Sequence, residues 1–164
     1  MTTLHQQHLD TPIGVLTLVG SDRGLRRILF EREDPADLDA TVDHSDPVLT
    51  AAASQLEEYF AGDRREFDLP LDLDGTDFQK QAWLALADVP YGETTSYGNQ
   101  ARAIGRPGAF RAVGAANGQN PVPIVLPCHR IVGADGSLTG FAGGLDIKQR
   151  LLAHEQDQQS LPGV

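Results

Sequence analysis

Cysteine is almost missing from this chain, with one thiol, Cys128, in 164 residues. That excludes an internal disulfide and any zinc site built on paired thiolates. Lysine is nearly as scarce: Lys80 and Lys148 stand alone against 16 Asp. Such a bias keeps a surface hydrated in concentrated salt and points to a halophilic source. No apolar run approaches the ~20 residues of a membrane-spanning helix. The first residues lack a basic stretch followed by an apolar one, so no signal peptide is expected. There is no phosphate-binding Gly-x-x-x-x-Gly-Lys loop, no dinucleotide fingerprint and no EF-hand, since Asp72-Leu73-Asp74-Gly75 lacks the later Glu. The expectation is a cytoplasmic, monomeric protein with no cofactor, no metal and no membrane partner.

A hydrophobic content of 40% is enough for a real core. The net charge of −10 at first opposes a nucleic-acid partner. It is unevenly spread, however. Residues 1–75 carry 16 acids and 6 Lys+Arg, whereas residues 76–164 carry 7 of each. Between Thr94 and Ala134 there is no Asp or Glu, yet Arg102, Arg106, Arg111 and Arg130 fall there. Global acidity hides a locally cationic segment.

The pattern predicts an α+β protein: a small N-terminal β-sheet domain with a helix, residues 1–75, then a mostly helical C-terminal domain, residues 76–164. Residues 12–20 and 24–31 read as strands of a hairpin turning at Ser21-Asp22-Arg23-Gly24, with an earlier strand at residues 4–9. The acidic, aperiodic stretch 32–45 reads as a loop. Ser45 or Asp46 caps a helix with Pro47 in its first turn, and Gly62 ends it. Residues 66–73 alternate and predict another strand. His5, His8 and His44 read as solvated. Thr76 and Gln79 form a capping box for a helix to about Ala87. Thr95 or Ser96 caps a second helix through Ile104, closed by Gly105, and Pro107 opens a third through about Ala116. That pair has the spacing of a helix-turn-helix, with Arg111 among the small residues Ala109, Ala112, Gly114, Ala115 and Ala116. Two helices packed in an all-α core would leave the same trace. A last helix runs from Leu145 to about Gln156.

The lone cysteine sits in Pro121-Val-Pro-Ile-Val-Leu-Pro-Cys-His-Arg-Ile-Val132, which reads as a buried extended segment delivering one thiol. A free thiol is only about 3% thiolate at neutral pH, and burial lowers that further. It needs a base, for which His129 is the neighbour, and the base needs a carboxylate. Glu155 on the last helix is the first choice, ahead of Glu93 and Asp135 in turn-like stretches.

Residues 75–155 resemble the O6-alkylguanine-DNA alkyltransferases. The matching motifs, in order, are Gly75-Thr76-x-Phe78-Gln79, Trp83, Pro90-Tyr91-Gly92, Ser96-Tyr97-Gly98, Arg111-Ala112-Val113-Gly114, Asn117-Gly118-x-Asn120-Pro121, Pro127-Cys128-His129-Arg130, Gly143-Gly144 and Glu155. The resemblance implies that Cys128 accepts the alkyl group, His129 deprotonates it through water, and Glu155 completes the relay. It implies that Asn120 holds the turn before the thiol and that Tyr97 crowds a phosphate and protonates the departing guanine. Arg111 would fill the stack where the base is flipped out, with Ala112, Gly114 and Arg130 also at the DNA. Ile131, Phe141 and Ala142 would line the base pocket. The implied partner is double-stranded DNA carrying O6-alkylguanine, or possibly O4-alkylthymine, and the lack of a second thiol implies one turnover per molecule. Phe141 departs from the Tyr frequent in relatives. Two other classes fit parts of the pattern: a damage binder that transfers nothing, and a Cys-His hydrolase, which leaves Arg111 and the helix pair without a role.

Overall fold

Leu16 and Leu18, two residues apart and fully buried, set the inner face of a sheet in which side chains alternate sides. The computed structural model describes residues 3–33 and 38–159. It divides into two units, Met1–Asp74 and Gly75–Val164.

In the first unit, β1 (His5–Thr11), β2 (Gly14–Gly20), β3 (Leu25–Leu29) and β4 (Thr41–Val42) lie in the order β3-β2-β1-β4. The β1–β2 and β2–β3 pairs are antiparallel and β4 joins β1 in parallel. Helix α1 (Pro47–Phe60) covers the sheet with Leu49, Ala52, Leu56 and Tyr59. Asp46 accepts the Leu49 N–H at 3.0 Å and so caps the helix at the expected place. The approach is close: a Cβ on Gly20 would lie 3.1 Å from Leu49 Cδ2.

Three expectations change in this unit. Residues 66–73 do not form a strand. Only Leu71 bridges Leu25, with Leu25 N–H donating to Pro70 O at 2.8 Å and Asp72 N–H to Leu25 O at 2.9 Å. Pro70 has no N–H to extend a ladder. The stretch 32–45 is not all loop, because Thr41–Val42 pairs with β1; residues 34–37 lie outside the described part. His5 is tied rather than solvated, its Nδ1 lying 3.0 Å from Asp43 and 3.4 Å from Asp46.

In the second unit α2 (Asp77–Ala85) starts on the Thr76–Gln79 capping box and ends in a 3₁₀ turn at Leu86–Asp88. Trp83 is buried and donates its indole N–H to Ala116 O at 2.7 Å on α4 (Phe110–Gly118). Helix α3 (Tyr97–Ala103), capped by Ser96, packs against both. Buried Gln100 and Asn117 exchange amide bonds at 2.9 and 2.8 Å, locking α3 to α4. The helix runs two residues beyond Ala116, so Asn117 lies within its last turn. Pro107 does not open α4. With Gly108 it forms the middle of a turn closed by Ala109 N–H to Arg106 O at 2.9 Å, and the helix begins at Phe110. Strands β5 (Thr95–Ser96) and β6 (Ile131–Val132) pair in parallel, and α5 (Leu145–Gln159) closes the unit. Among the described residues no helix is long and apolar enough to cross a membrane.

Candidate active site

The segment that carries the thiol is coiled rather than extended. Ile124 has φ 74, the one positive value at a non-glycine residue among those described. For a β-branched side chain such a conformation costs about 1–3 kcal/mol and needs outside support. Asn120 supplies it: its amide donates to Leu126 O at 2.8 Å and its carbonyl oxygen accepts the Val122 N–H at 3.0 Å. Leu126 N–H closes back on Val122 O at 3.0 Å. Pro127, at φ −82 and ψ 70, then makes a tight three-residue turn, with Cys128 N–H on Leu126 O at 2.8 Å. Apolar composition predicted burial correctly, but the bend depends in part on a side chain outside the apolar run, Asn120.

Cys128 opens a single 3₁₀ turn, Cys128–Arg130, and is 7% exposed. Burial pushes its thiol up to about 11, against the pull of an Asn120 hydrogen bond and the Lys148 charge. One residue on, His129 is fully buried with Nε2 2.6 Å from Glu155 Oε2. Arg130 Nε donates to Glu155 Oε1 at 2.8 Å and Nη2 to Oε2 at 3.2 Å. Burial works against the charge on Glu155, but the His129 hydrogen bond and the Arg130 guanidinium outweigh it and hold the carboxyl down to about 2. Burial lowers His129 as well, with the Arg130 and Lys148 charges adding to it and Glu155 opposing.

These bonds decide a tautomer. An ionised carboxylate only accepts, so Nε2 carries the hydrogen and donates to Glu155. Nδ1 is left with a lone pair, and it is the buried side-chain polar atom without a partner among the described residues. A neutral imidazole with a free Nδ1 is a base waiting for a proton.

Arg130, expected at the DNA, is 5% exposed and fully engaged, with Nη1 on Val89 O at 2.7 Å and its guanidinium 5.5 Å from the Tyr91 ring. It cannot reach a phosphate; it holds Glu155. The other arginines of the acid-free segment, Arg102, Arg106 and Arg111, are exposed. Arg111 lies on the first turn of α4 with its guanidinium 5.9 Å from the Phe110 ring, and Ala112 beside it is exposed. Gly114 faces inward, where a Cβ would sit 3.7 Å from the Tyr97 ring. That is ordinary van der Waals contact, so α4 packs on Tyr97 at this point. Ile131 is fully buried, Phe141 half-buried and Ala142 exposed.

Two residues of the site escaped the sequence reading. Lys148 is 1% exposed and donates from Nζ to Ile131 O at 2.6 Å and Thr139 O at 3.2 Å. Burial lowers it, and Cys128 partly opposes that. Its signal was its position: Lys148, Leu151 and Glu155 recur at helical spacing, so a lysine seven residues before the carboxylate shares its face. Thr139 Oγ1 lies 2.5 Å from Tyr97 Oη. No local pattern pointed to it.

A thiol mounted on a bent proline turn and followed by a buried imidazole–carboxylate pair defines a cysteine-nucleophile site, in a unit whose α3–α4 segment carries exposed arginines. Residues 77–157 match the model of the 6-O-methylguanine DNA methyltransferase DNA-binding domain, and residues 4–73 match its ribonuclease-like domain. The chain is 51% identical over 150 residues to a methylated-DNA–protein-cysteine methyltransferase of Mycolicibacterium paratuberculosis, covering 90% of each. It is 46% identical over 150 residues to one from Methanosarcina barkeri, covering 91% of this chain and 95% of that one. The solved structure of Mycobacterium tuberculosis OGT in complex with DNA superposes with a TM-score of 0.87 at 47% identity, covering 94% of both chains. The chain belongs to the 6-O-methylguanine DNA methyltransferase family.

Proposed function

We propose that this protein repairs double-stranded DNA by moving the alkyl group of O6-alkylguanine onto Cys128, once per molecule. The observation that carries the reading is the buried Cys128–His129–Glu155 constellation with Nδ1 of His129 unengaged. A thiol held near 11 is about one part in ten thousand thiolate at neutral pH, so the nucleophile has to be made on demand. His129 Nδ1 takes the thiol proton through one water. Glu155, pinned by Arg130, stabilises the imidazolium that results. The thiolate displaces guanine from the alkyl carbon, and Tyr97 gives the departing base its proton. The thioether is a poor leaving group and the chain has no second thiol, so the product is final.

The alkyl carbon is hidden in the base stack, and flipping its nucleotide out costs a few kcal/mol. Exposed Arg111 on α4 is the side chain to fill the gap, with Arg102 and Arg106 on phosphates. Phe141 and Ala142, in the loop before α5, would line the pocket for the flipped base. A monomer in the cytoplasm suits a single thiol that must stay reduced. Intact-protein mass after incubation with an O6-methylguanine duplex tests the reading. One added methyl, mapped to Cys128, is expected; an unmodified protein that still binds the duplex would make it a damage binder instead.

A further inference from the structure

Tyr97 Oη and Thr139 Oγ1 are 2.5 Å apart, and both ends of this bond hang from one strand. On one side β6 pairs with β5, Ser96 against Val132, and Tyr97 follows Ser96 directly. On the other, Lys148 Nζ clamps Ile131 O and Thr139 O together, setting where the threonine stands. The ring of contacts runs from β6 through Lys148, Thr139, Tyr97 and Ser96 back to β6, so the hydroxyl–phenol distance is set by the scaffold under the thiol. Two hydroxyls at hydrogen-bond distance share one hydrogen, and the other is free to point elsewhere.

We propose that Thr139 is a positioning residue for Tyr97: its hydroxyl donates to the phenol oxygen, aims the phenol proton at the departing base and holds the phenolate once that proton has gone. This rests on the reading of Tyr97 as proton donor. As the Sγ–carbon bond forms from the thiolate pair, the carbon–O6 bond breaks and its electrons stay with guanine. Tyr97 protonates the base, and the phenolate keeps one hydrogen bond, from Thr139, whose own proton stays on Oγ1. Solvent returns the proton to Tyr97 after the repaired duplex leaves. The thiol proton remains on His129 until solvent takes it.

The test is single-turnover transfer at saturating O6-methylguanine duplex, with duplex affinity measured in a Cys128→Ser background. Losing a hydrogen bond to a charged group slows Thr139→Val about tenfold, with the same shape and an affinity within about twofold of wild type. Thr139→Ser restores the hydroxyl and is expected within about twofold of wild type on the same argument. In a Tyr97→Phe background Thr139→Val is expected to add nothing, because the bond is already gone. Wild-type rates in Thr139→Val, no rescue by serine, or additive losses in the double variant would overturn the proposal. A Tyr97→Phe protein that transfers at the wild-type rate would overturn the reading of Tyr97 itself, a separate result.

Discussion

Replacing Glu155 by Gln takes one charge out of a site where two groups, His129 and Arg130, depend on it. Arg130 loses the carboxylate that both its Nε and Nη2 hold, at 2.8 and 3.2 Å, while remaining buried. Stranding one member of a buried pair costs about 3–5 kcal/mol. An independent route gives a similar figure. A carboxyl held at about 2 instead of 4.5 contributes about 3 kcal/mol, present above the higher value and lost as pH falls through the lower. A carboxamide also offers a donor, so it no longer dictates which nitrogen of His129 carries the hydrogen, and transfer should fall by about 10²–10⁴. Urea midpoints across a pH series, beside single-turnover transfer, measure both effects. Wild type should lose its advantage over the variant between about pH 5 and 2 and keep it at neutral pH. Parallel stability curves, or a variant that transfers at the wild-type rate, would refute the reasoning.

Cys128→Ser should abolish transfer while binding of the duplex, measured by anisotropy, survives; loss of both would mean that the residue supports the fold instead. Binding should weaken with salt, with a slope near −3 in log–log form if Arg102, Arg106 and Arg111 each neutralise one phosphate, and Arg111→Ala should make it shallower by about one. No dependence on salt would remove phosphate contacts from this face. In the first unit, Asp46→Ala removes the cap on α1 and should lower stability by about 1 kcal/mol in urea unfolding without changing transfer.

Much of the site was legible because its groups are written into short motifs. Cys128 and His129 are neighbours, Asn120 lies eight residues earlier, and Glu155 is the carboxylate of a helix whose apolar spacing was plain. The capping box at Thr76 was also readable, and the caps at Asp46 and Ser96 were readable to within one residue, since each is settled within one turn of backbone. The errors come partly from contacts that span the chain and partly from local turn chemistry. Residues 66–73 alternate like a strand, but Pro70 leaves a single bridge to Leu25. Arg130 looked like a cation for phosphate until Glu155, 25 residues on, took it. Pro107 had the right residue type for a helix start, yet its place beside Gly108 made a turn of it.

By itself, the sequence determined which chemistry was available: one thiol, one adjacent imidazole, a segment free of acids and a helix with the needed carboxylate. These follow from residue type and near spacing, where local hydrogen bonding and apolar periodicity decide. Only the tertiary structure decided what each group is free to do. It buried Arg130 against Glu155, fixed the hydrogen of His129 on Nε2, coiled the Cys128 segment around Asn120 and brought Lys148 and Thr139 to the site. The reason is that protonation, tautomer and strain depend on the dielectric and the partners around a group, and both are set by packing between residues far apart in the chain.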